Sequence, residues 1–250
     1  MKTTYLFVFM MSFFISFQSF GVNRGDFSLY GGIGIDYTEV FFAILNKIEI
    51  SPFFISGFQY SFHYRRITIG NSLDFSYYAN NQYYKNNLLY YTDKTRTSDF
   101  TLTYQLSFKG ERGTYFNSYW GGGFVIINRY EVYSIGKLLS FTENRILPYP
   151  FIFAGFSFTP YKIIDFLVYS SAGAGIGYKG FYRDERFVRS GNDISIATVL
   201  NVESKVSITK NVSFFINWRN RLLVTLDLRD IIGTIFWSNT IYTGVLFEIK

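Results

Sequence analysis

Long stretches in which apolar and polar residues alternate are the feature that most constrains how this chain can fold. From Asp99 to Lys109 (DFTLTYQLSFK), every even position is apolar or aromatic and every odd position is polar. Successive side chains of a β-strand point to opposite faces, so this pattern predicts a strand with one apolar and one polar face. After the N-terminal region, no segment has the roughly 18 uninterrupted apolar residues that indicate a membrane-spanning helix.

The alternation recurs often enough to predict an all-β fold of ten strands. The predicted strands are 26–37, 52–64, 67–79, 97–109, 113–128, 149–159, 163–179, 193–208, 212–226 and 236–249. Strands of soluble proteins usually have about five or six residues, whereas a tilted strand needs roughly 9–11 residues to cross a bilayer. The predicted lengths therefore favour strands that cross a membrane.

The connections between the predicted strands alternate in length. Short turns, such as Thr209–Asn211, alternate with polar stretches at 38–50, 79–97, 129–147, 180–192 and 227–235. Short periplasmic turns and long extracellular loops are typical of transmembrane β-barrels. An even strand count also lets the first and last strands pair, which closes the antiparallel sheet and leaves no unpaired backbone groups in hydrocarbon. A barrel of about eight strands, with one hairpin misread, is the alternative.

The composition indicates that the apolar face of these strands lies against lipid. The chain is 22% aromatic but only 17% charged, whereas soluble domains have about 25% charged residues. Because the charged residues of the strands fall on the polar face, that face is predicted to line the lumen. The predicted polar network of the lumen comprises Asp74, Gln105, Glu203, Lys205, Arg219 and Arg221.

In a narrow bore, side chains of both charge signs predict a salt-bridged plug rather than an open channel. A turn over 209–211 would place Glu203 diagonally across the ladder from Arg219, within reach of an ion pair. Glycines on the same face would leave room for the long polar side chains; they are Gly121, Gly123, Gly173, Gly175 and Gly177.

The N-terminal segment has the features of a secretory signal peptide. Lys2 supplies the positive charge, Leu6–Phe17 is the apolar region, and Ser19 and Gly21 are the small residues before a cleavage site. The apolar region is too short to span about 30 Å of hydrocarbon as a helix. The chain is therefore predicted to comprise a signal peptide at 1–21 and a transmembrane barrel domain at 22–250, located in a bacterial outer membrane.

The last predicted strand carries the most specific resemblance. The sequence from Tyr242 through Gly244 and Phe247 to Ile249 resembles the C-terminal assembly signal of small bacterial outer-membrane β-barrel proteins, the broad class that includes OmpA-like and OmpX-like barrels. This resemblance implies two partners, the outer-membrane lipid and the machinery that inserts barrels. The chain departs from the family in ending with Lys250, where the last residue of the family is often Phe.

Few residues of the chain are suited to catalysis or metal binding. Cysteine is absent, and His63, the one histidine, lies beside a predicted turn at 64–66. The G-x-G-x-x-G sequence from Gly175 to Gly180 is not followed by a helical pattern, as a nucleotide site would require. No run of Lys and Arg indicates nucleic-acid binding. We therefore expect no enzymatic activity, no cofactor, no metal and no nucleic-acid partner.

Three functions fit this sequence. The first is a non-enzymatic outer-membrane barrel with a structural role, or one that contacts a ligand at the cell surface through its loops. Tyr83 and Tyr84, in the middle of a Tyr- and Asn-rich loop, are the candidate recognition residues. The second is a small porin that passes solutes. The third is a soluble periplasmic lipid-binding barrel, which would carry its apolar face inside.

Overall fold

The chain forms a closed antiparallel barrel of ten strands. The computed structural model describes residues 25–42, 45–79, 96–110, 115–135, 139–161, 163–183, 186–228 and 233–249. The strands are β1 Asp26–Phe42, β2 Leu45–Tyr64, β3 Ile67–Ala79, β4 Arg96–Gly110, β5 Phe116–Ile135, β6 Leu139–Tyr161, β7 Ile164–Arg183, β8 Arg186–Ser207, β9 Val212–Asp227 and β10 Gly233–Ile249. The ten-stranded barrel is confirmed, and the eight-stranded alternative is wrong. The signal peptide predicted at 1–21 lies outside the described residues.

The barrel closes because β1 pairs with β2 on one side and with β10 on the other. The closing ladder runs from Phe27 opposite Ile249 to Phe42 opposite Thr234. Every strand therefore has two hydrogen-bonded neighbours, as a sheet surrounded by hydrocarbon requires. Among the described residues, no helix is long and apolar enough to cross a membrane.

The barrel has two distinct ends. The turn end contains four connections: β2–β3, β4–β5, β6–β7 and β8–β9. The start of β1 and the end of β10 lie at the same end. The turn between β8 and β9 is held by Thr209, whose Oγ1 accepts hydrogen bonds from the backbone N–H groups of Asn211 and Val212. At the loop end lie the other five connections, including the longest, between Ala79 and Arg96.

At the loop end the strands run further than the alternation predicted. β2 begins at Leu45, β5 ends at Ile135 and β6 begins at Leu139, within stretches predicted to be loops. Beyond the bilayer water can reach the outer face, so the outward residues there need not be apolar and the period-two pattern fades. The hairpins nevertheless continue, because their backbone hydrogen bonds do not depend on lipid. Most of the predicted loop at 79–97 lies outside the described residues.

The outer face of the barrel is apolar. Ile33, Ile152 and Ile176 are 63%, 73% and 65% exposed, while the neighbours of Ile152 along its strand, Phe151 and Phe153, are buried inside the barrel. Large apolar side chains with this exposure need a nonpolar surrounding. This arrangement contradicts the soluble lipid-binding barrel, which would need a polar outer face.

Aromatic rings form belts on the outer face. At the turn end, Phe108 stacks on Trp120 at a centroid distance of 4.5 Å and Phe116 stacks on Phe158 at 4.6 Å. Towards the loop end, exposed rings mark a second boundary: Tyr77, Phe100, Tyr130, Tyr178 and Trp237. Two aromatic belts that flank an apolar band are characteristic of transmembrane barrels, because these rings favour the interfaces between lipid and water.

Inside the barrel, β6 packs large side chains against glycines of both neighbouring strands. A Cβ at Gly123 of β5 would lie 2.7 Å from the ring of Phe151, and one at Gly121 would lie 2.6 Å from the ring of Phe153. On the other side, Tyr149 and Leu147 cover the glycines of β7, which are Gly173, Gly175 and Gly177. The glycines thus leave room for aromatic and apolar side chains, and the prediction that they accommodate polar ones is corrected.

The two faces of β4 are expected to respond differently to the same substitution. Leu106→Arg places a guanidinium on the outer face near the middle of the apolar band and should destabilise the barrel by about 2–4 kcal/mol. The adjacent Gln105→Arg faces the lumen, where it shares a cavity with Asp74, and should cost about 1 kcal/mol or less. Urea unfolding in phospholipid vesicles, followed by heat-modifiable gel migration, measures both. Equal losses would contradict a lipid-facing outer surface.

Candidate functional site

The lumen of the barrel is the candidate functional site, and its side chains form three layers along the barrel axis. A cluster of buried charges lies near the loop end, a layer of apolar and aromatic side chains fills the middle, and a polar cavity opens at the turn end. Each layer draws residues from many strands, because inward positions of neighbouring strands meet at the same height in the bore.

The first half of the loop-end cluster is centred on Arg129 of β5. Its Nη2 donates to Glu49 of β2 at 2.7 Å and to Glu131 at 2.6 Å, and its Nη1 donates to Asp99 of β4 at 3.0 Å. The side chains of Arg129, Glu49 and Asp99 are at most 8% exposed. Arg129 therefore connects three strands through buried, charge-assisted hydrogen bonds.

The second half is centred on Arg145 of β6. Its guanidinium donates to Glu143 and, at 3.1 Å, to Thr225 of β9, and its Nε lies 3.3 Å from Asp193 of β8. Lys179 of β7 extends this group, with its Nζ 3.8 Å from Glu143 and 3.6 Å from a carboxylate oxygen of Asp227.

The ring of Phe236 on β10 joins the two halves. The guanidinium of Arg129 lies 4.9 Å from its centroid and that of Arg145 lies 5.7 Å away. Both distances are within the range of cation–π attraction. Among the described residues, six carboxylates of this cluster share the three cations Arg129, Arg145 and Lys179.

Sequence reasoning missed the loop-end cluster. Its members lie in or next to the polar stretches that were predicted to be loops, where the alternation is weak. The available signal was the spacing of Glu131 from Arg129 and of Arg145 from Glu143, since residues two apart share a face of a strand.

The middle layer consists of two clusters of buried side chains. The larger comprises Val40, Val125, Ile127, Leu147, Tyr149, Phe151, Phe153, Ala197, Leu223 and Phe236, and the smaller comprises Phe53, Ile55, Tyr78, Phe215 and Tyr242. In the smaller cluster the ring of Phe53 lies 4.8 Å from that of Tyr78 and 5.0 Å from that of Tyr242. These rings come from β2, β3 and β10 on one side of the barrel, whereas the larger cluster joins β1 and β10 to β5 and β6 on the opposite side. Packing therefore fills the part of the lumen for which a salt-bridged plug was predicted.

Arg219 and Arg221 lie beside this aromatic packing. Arg219 donates from Nη2 to the hydroxyl of Tyr242 at 3.0 Å, and its Nε lies 3.5 Å from Oδ1 of Asn201. The guanidinium of Arg221 lies over the ring of Tyr78, 6.0 Å from its centroid. Both arginines therefore interact with aromatic groups of the middle layer.

Glu203 and Lys205 have partners other than these arginines. Glu203 accepts a hydrogen bond from Nδ2 of Asn217 at 3.1 Å, and Lys205 lies 3.7 Å from Glu248. In the β8–β9 register, Asn201 stands opposite Arg219 and Asn217 opposite Glu203. Each charged side chain therefore has an asparagine as its partner on the neighbouring strand. The ion pair predicted between Glu203 and Arg219 is not formed, and that prediction is wrong.

At the turn end the lumen widens into a cavity of about 550 Å³. Five residues of the predicted polar network line this turn-end cavity: Asp74, Gln105, Glu203, Lys205 and Arg219. The sixth, Arg221, lines a separate space of about 60 Å³ within the middle layer. Tyrosines form the inner wall of the cavity, and His63 lies at its rim, with Nδ1 3.0 Å from the hydroxyl of Thr68.

The proposed assembly signal is divided between the two faces of β10. Tyr242 and Gly244 face the lumen, while Phe247 and Ile249 are 51% and 53% exposed on the outer face. Gly244 lies opposite Gly32 of the closing ladder, and a Cβ there would come within 2.6 Å of the ring of Phe215. Tyr83 and Tyr84 lie outside the described residues.

The chain is similar over nearly its full length to solved structures that include the two described next. The outer membrane protease OmpT from Escherichia coli has a TM-score of 0.52 at 10% identity, covering 92% of this chain and 98% of that one. The translocator domain of the autotransporter NalP from Neisseria meningitidis also has a TM-score of 0.52, at 7% identity, covering 98% and 97%. No family model and no curated protein matches the sequence. At these identities the likeness concerns the fold: the chain has the fold of the bacterial outer-membrane β-barrels.

The loop-end cluster is expected to stabilise the barrel through Arg129. Arg129→Met leaves the carboxylates of Glu49, Asp99 and Glu131 without their shared cation and should cost about 3–5 kcal/mol in the free energy of unfolding. Arg186→Met, at an exposed position near the tip of the β7–β8 hairpin, is the control and should change stability by no more than about 0.5 kcal/mol. Urea titration of both variants in vesicles tests this; similar values would show that the cluster contributes little.

Proposed function

We propose that the protein is an integral outer-membrane barrel without enzymatic activity, which closes its own bore and has a structural role or contacts a ligand through its loop end. The middle layer is the observation that carries this proposal. In the larger of its two clusters, Val40 of β1 and Phe236 of β10 belong to the same packed group as Val125 of β5 and Phe151 of β6, and these two pairs of strands lie opposite each other in the barrel. A solute would have to displace this packing and then the charged cluster beyond it.

A small porin is the second candidate function, and the turn-end cavity favours it. An open channel would need a continuous bore, commonly lined by one sign of charge. The turn-end cavity of about 550 Å³ meets the middle layer, and the lining carries both signs. These two features support the closed barrel over the porin.

The fold is shared with a protease, so an enzyme is a further possibility to weigh. The sole histidine, His63, lies at the rim of the turn-end cavity, and its Nδ1 is within hydrogen-bond distance of Thr68. Within the described ranges, no three His, Cys, Asp or Glu residues are arranged to hold a metal ion. We therefore keep the non-enzymatic proposal, with no cofactor. Its partners are the outer-membrane lipid and the insertion machinery, which would read the end of β10.

The wild-type barrel is expected to conduct little current in planar lipid bilayers. Replacing both Arg219 and Arg221 with Ser should raise the conductance, because Arg219 lines both the turn-end cavity and the smaller space beside it. The current should favour cations, since Asp74 and Glu203 remain in the cavity wall.

The matched control replaces Arg183 and Arg186 with Ser, which removes the same charge from exposed positions near the tip of the β7–β8 hairpin. This control should conduct as the wild type does. Large and stable wild-type channels would overturn the closed barrel and support the porin.

Surface exposure of the loop end can be tested by cysteine labelling, because the chain has no cysteine of its own. Val188→Cys introduces a thiol near the tip of the β7–β8 hairpin, where Val188 is 57% exposed. Lys210→Cys places one in the β8–β9 turn at the opposite end. A membrane-impermeant maleimide should label Cys at 188 on intact cells, and Cys at 210 only after the outer membrane is opened. The reverse result would show the opposite orientation.

A further inference from the structure

The turn-end cavity carries more carboxylates than cations. Its lining includes the carboxylates Asp26, Asp74, Asp165, Glu203 and Glu248 and the cations Lys109, Lys205 and Arg219. Lys109 pairs with Asp165 at 3.3 Å, and Lys205 lies 3.7 Å from Glu248. Arg219 makes its side-chain hydrogen bonds to Tyr242 and Asn201, and its charge acts on Asp74 and Glu203 only from beyond ion-pair distance. Among the described residues, this leaves the inner carboxylates Asp74 and Glu203 without an ion pair.

Two acceptor atoms in the cavity wall also lack a donor within the described part of the chain. They are Oδ1 of Asp74 and Oδ1 of Asn217. Asn217 is 1% exposed, and its Nδ2 already donates a hydrogen bond to Glu203 at 3.1 Å. Buried acceptors usually have a hydrogen-bond partner, because leaving one unpaired costs free energy. A ligand that brings N–H donors and positive charge would supply what these atoms lack.

The inner wall of the cavity is aromatic. Tyr30, Tyr119, Tyr169 and Tyr242 line it, and the rings of Tyr119 and Tyr169 lie 5.6 Å apart. The face of an aromatic ring attracts cations, and it also packs against methylene groups. Carboxylates beside aromatic rings therefore form a surface suited to an organic cation with an aliphatic chain.

We propose that the turn-end cavity is a binding site for a small aliphatic amine with two or more ammonium groups, which enters from the turn end. Asp74 and Glu203 bind the ammonium groups, Oδ1 of Asn217 accepts a hydrogen bond from one of them, and the tyrosine rings contact the methylene chain. The cavity of about 550 Å³ is within the roughly 300–1,000 Å³ usual for small-molecule sites. An anion would meet the excess of carboxylates, and a bare metal ion would make no use of the aromatic wall.

The test is calorimetric titration of spermidine into the purified full-length barrel in detergent at low ionic strength. We expect saturable binding with one spermidine per barrel, weakened by added salt, and no binding of citrate, an anion of similar size. In the variant with Asp74→Asn and Glu203→Gln, the affinity should fall at least about tenfold. Glu203→Gln alone provides a milder variant should the double one fail to assemble, and it should also bind more weakly.

Glu39→Gln is the matched control, because Glu39 lies on the outer face towards the loop end, where it accepts a hydrogen bond from Tyr37. It should bind spermidine as the wild type does. Absence of saturable binding, or equal binding by the wild type and the double variant, would overturn the proposal. Displacement of spermidine by an equal concentration of Mg²⁺ would overturn it too, since that would show unspecific attraction to charge. These measurements need no bilayer, so their outcome is independent of whether the barrel conducts.

Discussion

The hydrogen-bonded ladder that joins β1 to β10 is the constraint on which the rest of the structure depends. Hydrocarbon offers no partner for a backbone N–H or C=O group, so a sheet in a membrane must have no free edge. Because every neighbouring pair is antiparallel, closure requires an even number of strands, and it divides every strand into an outward and an inward face. It also explains Gly32 and Gly244, which let the first and last strands meet beside the ring of Phe215.

Closure also confines the inward side chains to a narrow bore, so their packing and hydrogen-bond partners must come from within the barrel. The kind of partner differs with height along the barrel axis. Phe151 and Phe153 fill the space above glycines of β5 in the middle, whereas Arg129 gathers three carboxylates near the loop end. Charges at that height lie towards water and away from the centre of the bilayer, which lowers the cost of burying them.

The sequence predicts the strands best where the barrel faces lipid. The alternation from Asp99 to Lys109 coincides with most of β4, because one face there must be apolar and the other need not be. The pattern fails at the loop end, where β6 begins at Leu139 although its start was predicted at 149. There water reaches the outer face, and the physical reason for alternation is gone.

Which lumen residues meet is much harder to read from sequence. Membership of the lumen follows from strand parity, and Asp74, Gln105, Glu203, Lys205 and Arg219 do line one cavity. Which side chains meet across the bore depends on the tilt and stagger of the strands, and these are not encoded in the local sequence pattern. Arg129 and Glu49 are 80 residues apart in sequence, yet their side chains meet at 2.7 Å.

The middle layer separates two chemically different spaces within one barrel. On the loop side, the carboxylates of the described residues share three cations and an aromatic ring. On the turn side, a cavity of about 550 Å³ retains carboxylates and amide oxygens whose partners are incomplete. With the bore closed as proposed, the two spaces can meet different demands. The loop-end cluster is suited to stabilising strands that extend beyond the bilayer, and the turn-end cavity is suited to binding a molecule from the opposite side.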